Sequence, residues 1–226
     1  MAVYDLEEQE RIDALKDWWA KWGMLVYTAV GAFIAVMLGL QGWHYYQNSQ
    51  AEQAEVLFKN VQKIAQDAAA SKDAKKLAEA ANTLTDKFPS SFYATDAQLL
   101  SAKTAFEAND FSIARAALQW VIDKGRETHR PIARIRLANV LMEEKKFDEA
   151  LTVLDGVKED AFIALAADVK GDIYAQLGRR DEARAAYQLA IDKSETRSPL
   201  KALTQVKRDG LGTGMTPTPS ASGAPK

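Results

Sequence analysis

The chain has 226 residues, with 29 Lys and Arg against 31 Asp and Glu, a formal net charge of −2 and no cysteine. That balance lacks the cationic footprint with which proteins neutralise phosphates, which argues against nucleic-acid binding. The absence of cysteine removes disulfides and thiolate chemistry, and the length leaves one domain of ordinary size once an anchor and tails are set aside.

The first 22 residues are acidic, carrying Asp5, Glu7, Glu8, Glu10, Asp13 and Asp17. Ile12, Leu15, Trp19 and Trp22 follow one another at +3, +4 and +3, the spacing of one face of a helix. Anionic lipid repels such a tail, which leaves two readings: a site for a basic protein partner, or a solvated segment with a Trp-rich membrane edge.

From Trp22 to Ala51 there are thirty residues without Asp, Glu, Lys or Arg. Within them Met24 to Leu40 is interrupted only by Thr28, Gly31 and Gly39, with Trp18, Trp19 and Trp22 before it and Trp43, Tyr45 and Tyr46 after it. Trp22 and Trp43 are 21 steps apart. At a rise of about 1.5 Å per residue this is about 31 Å, which matches a hydrocarbon core of about 30 Å with an aromatic belt at each face.

Ser49-Gln50-Ala51 loosely resembles a cleavage site. However, a signal peptide has a basic start and a shorter apolar stretch, and three bulky aromatics lie between this stretch and the site. A buried core helix fits less well still, because nothing else in the chain is apolar enough to surround it. The expectation is a transmembrane anchor over residues 23–46. Arg11, Lys16 and Lys21 precede it, against Lys59 alone just after it, so the positive-inside rule puts the N-terminus in the cytoplasm. Gly31, Ala35 and Gly39 line one face at i, i+4 and i+8. Such a stripe permits close approach of another membrane helix, although Gly and Ala are also common in membrane helices for no such reason.

Beyond the anchor the periodicity predicts helices over residues 51–70, 74–87, 95–108, 112–124, 131–144, 147–157, 163–177 and 181–193, with no strand-like alternation. Asp73, Phe88-Pro89-Ser90-Ser91, Asn109-Asp110, Gly125, Gly156 and Gly178 fall between them, and Pro131 suits a first helical turn. The helices pair and the pairs repeat. Ala102, Ala138 and Gly171 occupy one slot, and Ala114, Ala150 and Ala183 another, 12 residues on. The offsets are 36 and 33 residues, close to the tetratricopeptide period of about 34. Small residues let the helices approach, while Tyr174 and Tyr187 fill the space between them. A generic antiparallel bundle explains the Ala-rich helices but not three copies in register. The predicted fold is therefore all-α: one transmembrane helix, then a tetratricopeptide-like domain over residues 47–209. Residues 199–209 cap its far end, and residues 210–226 form a disordered Gly/Pro/Ser-rich tail.

Nothing in the chain points to catalysis or to a cofactor. His44 and His129 have no partner at useful spacing; Glu143, Glu144, Asp148 and Glu149 read as a solvated face; and Gly210, Gly212 and Gly214 lack a strand-to-helix context. A helical solenoid offers instead a concave binding surface made by the first helix of each pair. The repeat register projects onto it Leu99, Lys103, Phe106, Ile135, Asn139, Met142, Asp168, Asp172 and Gln176. Of the Lys and Asn residues with which some tetratricopeptide domains clamp a C-terminal carboxylate, only Lys103 and Asn139 remain, in different copies, so that clamp is not expected.

The whole pattern resembles the ancillary SecYEG translocon subunit family over about residues 1–195. The resemblance is carried by the acidic start with Trp18-Trp19 and Gly23, by Gly42-Trp43-His44-Tyr45-Tyr46, by Ile135-Arg136-Leu137-Ala138 and by Leu154-Asp155. It continues in Asp168-Val169-Lys170-Gly171-Asp172, Gly178 and Asp181-Glu182-Ala183-Arg184. It implies a bacterial inner-membrane protein with a periplasmic repeat domain, associated with the translocon and with a membrane-anchored, prolyl-isomerase-like periplasmic chaperone, to which secreted chains pass. It also implies a link to an envelope-stress response regulator through the cytoplasmic tail. A generic interaction scaffold is the plainer alternative.

Overall fold

The computed structural model describes residues 3–71, 73–195 and 197–212. The expected disordered tail past residue 212 lies outside them, as do the side chains of Asp5, Glu7, Glu8, His44 and Tyr46. The chain divides into two compact units, one up to Gln53 and one from Ala54.

Helix α1 (Val3–Ser71) supplies the first unit and the beginning of the second. It shows no break near residue 47, where the sequence suggested the anchor ends; no Gly or Pro follows Gly42 before Ser71, so nothing stops the helical hydrogen bonding. In the first unit the most apolar stretch is only 6% buried, with Leu25, Phe33, Ile34, Val36 and Leu38 all exposed. A helix apolar on every side and uncovered by protein is long and apolar enough to cross a membrane, and it is not a soluble core helix. At its leading edge Trp19 packs edge-on to Tyr27, with ring centroids 5.5 Å apart. A Cβ on Gly23 would lie 3.2 Å from the indole nitrogen of Trp19, so glycine there makes room for the ring.

In the second unit each helix begins and ends for a local reason. Asp73 starts α2 (Ala74–Lys87) by accepting from the Lys75 N–H at 3.2 Å, and Ser91 starts α3 (Phe92–Glu107) by accepting from the Tyr93 N–H at 3.2 Å. Asp110 starts α4 (Phe111–Lys124) through the Ile113 N–H at 3.3 Å. A 3₁₀ turn (Glu127–His129) leads to α5 (Arg130–Glu143), which has Pro131 in its first turn. α6 (Phe147–Asp155), α7 (Asp160–Gln176), α8 (Arg180–Lys193) and α9 (Pro199–Gly210) complete an all-helical domain, with no strand among the described residues.

The pairs α3–α4, α5–α6 and α7–α8 close with the same turn. Asn109, Lys145 and Gly178 all have left-handed φ, at 60°, 60° and 72°. After each, an N–H returns to a carbonyl five residues back: Asp110 to Ala105, Lys146 to Leu141 and Arg179 to Tyr174, at 2.8 to 2.9 Å. This is a Schellman ending made three times, spaced by the offsets seen in the sequence. The small-residue slots are buried as the repeat requires: Ala102 is 3% exposed, and Ala138, Ala114, Ala150 and Ala183 are at 0%. Around them Leu118, Val121, Leu141, Leu154 and Ile173 form the main core. A second cluster joins Val61 and Ala65 of α1 to Leu77, Ala81 and Leu84 of α2 and to Ala94 and Ala97 of α3.

Candidate protein-binding groove

Packing α4 under α3 and α5 leaves a groove of about 420 Å³ between the two first helices. Leu118 of α4 lies at its floor with Phe106, Val140 and Met142. Lys103, Arg136, Asn139 and Glu143 edge it. Four residues projected onto the concave surface thus converge here: Lys103, Phe106, Asn139 and Met142. Phe106 is steadied by Phe111, with ring centroids 5.9 Å apart. Lys103 is two-thirds exposed and 3.7 Å from Glu107, an exposed pair of little energetic weight. The Arg136 side chain is exposed and makes no hydrogen bond or ion pair among the described residues.

The other projected residues lie elsewhere. Leu99 is half-buried against the main core, and Gln176 is exposed at the end of α7. Ile135 is not on the open surface: it is 2% exposed in the same core as Val169 and Ile173, because α7 packs along α5 and covers that slot. Asp168, only 5% exposed, and Asp172 do not face a free groove either. Asp168 accepts from the Thr204 hydroxyl at 2.6 Å and from Lys207 Nζ at 2.8 Å; Asp172 accepts from Lys207 Nζ and from the Tyr187 hydroxyl, each at 2.8 Å. Both carboxylates therefore seat α9. Burial opposes the charge on Lys207, but its bonds to Asp168 and Asp172 outweigh this and raise its pKa above the ordinary lysine value. Burial, reinforced by the bond to Asp172, raises that of the Tyr187 phenol.

Sequence reasoning missed Arg136 and Glu143 at the groove edge. Their signal was present in the +3, +1, +3 spacing of Arg136, Asn139, Val140 and Glu143 on one helical face. The α9 latch had none, since Lys207 is 39 and 35 residues from its two partners. Among the described residues no group of three or more His, Asp or Glu could hold a metal.

The description "Tetratricopeptide repeat-like domain" belongs to the family that matches residues 16–213, which take in both the apolar helix and the repeats. A protein of Neisseria gonorrhoeae named "Ancillary SecYEG translocon subunit" is 33% identical over 210 residues, covering 91% of this chain and 98% of the relative. The chain belongs to the ancillary SecYEG translocon subunit family. Members from Haemophilus influenzae and Escherichia coli are 34% identical over 196 residues and 26% identical over 213. These matches cover 83% and 93% of this chain, and 90% and 99% of the relatives. The tetratricopeptide-like fold expected for the ancillary subunit family is the one observed, and the apolar helix fits a single-pass membrane protein.

Proposed function

We infer that the chain is a membrane-tethered adaptor at the protein-export channel. It associates with the SecYEG translocon of the bacterial inner membrane, keeps its N-terminus in the cytoplasm and presents the repeats to the periplasm. There it helps emerging chains pass to a membrane-anchored periplasmic chaperone of the prolyl-isomerase-like type. The observation that carries this reading is a membrane-length apolar helix and an open groove in one chain, related almost end to end to proteins named as translocon subunits. Leu99, Lys103, Phe106, Asn139, Met142 and Gln176 are the contact residues proposed on the repeat side. Gly31, Ala35 and Gly39 are proposed as a packing face within the bilayer, where a Cβ on either glycine would meet open space.

The test is site-specific photocrosslinking in intact membranes. Probes at position 35 and at positions 103 and 142 should capture translocon subunits or a periplasmic chaperone, and their failure to capture either would overturn the adaptor reading. A second reading concerns the N-terminal segment, where Ile12, Leu15, Trp19 and Trp22 are exposed on α1 beside Glu10, Asp13 and Asp17. An uncovered apolar stripe among carboxylates suits a basic cytoplasmic partner such as a response regulator. Deleting residues 2–17 should then change an envelope-stress output while leaving export intact, and an unchanged output counts against it.

A further inference from the structure

We propose that the groove between α3 and α5 takes an extended polypeptide segment in which an apolar side chain stands beside a carboxylate. This deepens the adaptor reading and rests on it. The repeat puts Lys103, Asn139 and Asp172 in equivalent slots, 36 and 33 residues apart, so one row runs from a cation through a neutral amide to an anion. Its anionic end is already occupied, because Lys207 of α9 bonds both Asp172 and Asp168. Its cationic end is open. Lys103 holds only a long, exposed contact to Glu107, and the Arg136 guanidinium beside it in the groove has no partner among the described residues.

The remaining charges give the site a direction. Glu143 lies two turns beyond Arg136, at the C-terminal end of α5, where the helix dipole adds further negative potential. A ligand carboxylate is repelled from that end and drawn toward Arg136, whose planar fork suits it. Between the charges lies the apolar floor of Phe106, Leu118, Val140 and Met142, and about 420 Å³ is room for one or two side chains of a bound segment. Met142 is unbranched and polarisable, so the floor adapts to apolar side chains of different shape, as a site for varied unfolded chains must.

The test uses the full chain in nanodiscs of zwitterionic lipid and three labelled short peptides, read by fluorescence anisotropy. One has Leu-Phe flanked by Asp on each side, the second replaces the Asp residues with Lys, and the third replaces Leu-Phe with Ser-Ser. The first should bind about tenfold tighter than either of the others and lose affinity as salt is added. Lys103→Glu with Arg136→Glu should reverse the preference toward the Lys peptide, while Lys103→Arg with Arg136→Lys should keep it. Both positions are exposed, and unchanged helicity by circular dichroism confirms that the variants fold. Equal affinity for the Asp and Lys peptides, or a preference that survives the double charge reversal, would overturn the proposal. So would light scattering showing a dimer that Lys103→Glu with Arg136→Glu returns to a monomer. If the peptides fail while translocon crosslinks persist, only this inference falls. If the crosslinks fail while the preference holds, only the adaptor reading falls.

Discussion

Gly171 shows how one missing methyl group decides a packing arrangement. A Cβ there would overlap the Tyr187 ring, which lies against the Gly171 backbone while its hydroxyl donates to Asp172. Gly171→Ala must push the ring out of its place, and a loss of about 1–3 kcal/mol is expected by urea denaturation of the full chain in micelles. Lys145 is the opposite case. It holds a left-handed φ of 60° in the slot where the third copy has Gly178. Lys145→Gly removes that strain, and a gain of about 0.5–1 kcal/mol should appear as a higher denaturation midpoint. The slot was legible in the sequence from Gly178 and the repeat offset; the strain at Lys145 was not, because only the backbone conformation reveals it.

The last element, α9, is held differently from those before it. Ile135 is covered by α7 through apolar contact, whereas the matching slot one repeat later is Asp168, so the seat of α9 is made of hydrogen bonds and charge. Thr204 is the one residue of α9 that is buried, and Leu203 and Val206 are exposed. Lys207→Ala leaves the buried Asp168 carboxylate without its cation, costing about 1–3 kcal/mol. Hydrogen exchange should show this as loss of protection in α9, with α3 to α6 unchanged. The pH dependence has a definite sign. Lys207 and Tyr187 both have raised folded pKa values, so above about pH 10 the folded state binds more protons than the unfolded one and stability falls as pH rises. The contribution of these two groups is full below that pH, and protection of α9 should drop as the pH rises above it. A helix over residues 199–209 could be read from Pro199 and its periodicity. Its latch could not, because no local pattern joins residue 207 to residue 168.

At the scale of the whole molecule the chain couples a membrane-length helix to a repeat domain, and its lack of cysteine makes the proposed topology simple to test. With Ser112→Cys, a membrane-impermeant maleimide should label cells once the outer membrane alone is opened; with Asp13→Cys it should label them only after the inner membrane is broken. The reverse pattern would invert the orientation. Replacing Gly31, Ala35 and Gly39 with Leu should leave membrane insertion intact and weaken recovery of translocon subunits by affinity capture, since bulk on that face keeps another helix at a distance.

Periodicity and composition by themselves determined the membrane-length helix, the helical class, the three-copy register and the small-residue slots. Each of these follows from where a side chain points along a helix, which needs only the local sequence and the 3.6-residue turn. What only the tertiary structure decided is which projected residues stay open. Lys103, Phe106, Asn139 and Met142 share a groove because α4 closes it from below, Ile135 disappears under α7, and Asp168 and Asp172 are taken by α9. The physical reason is that burial and pairing belong to neighbours far away in the chain, and a helical register carries no information about which neighbour arrives.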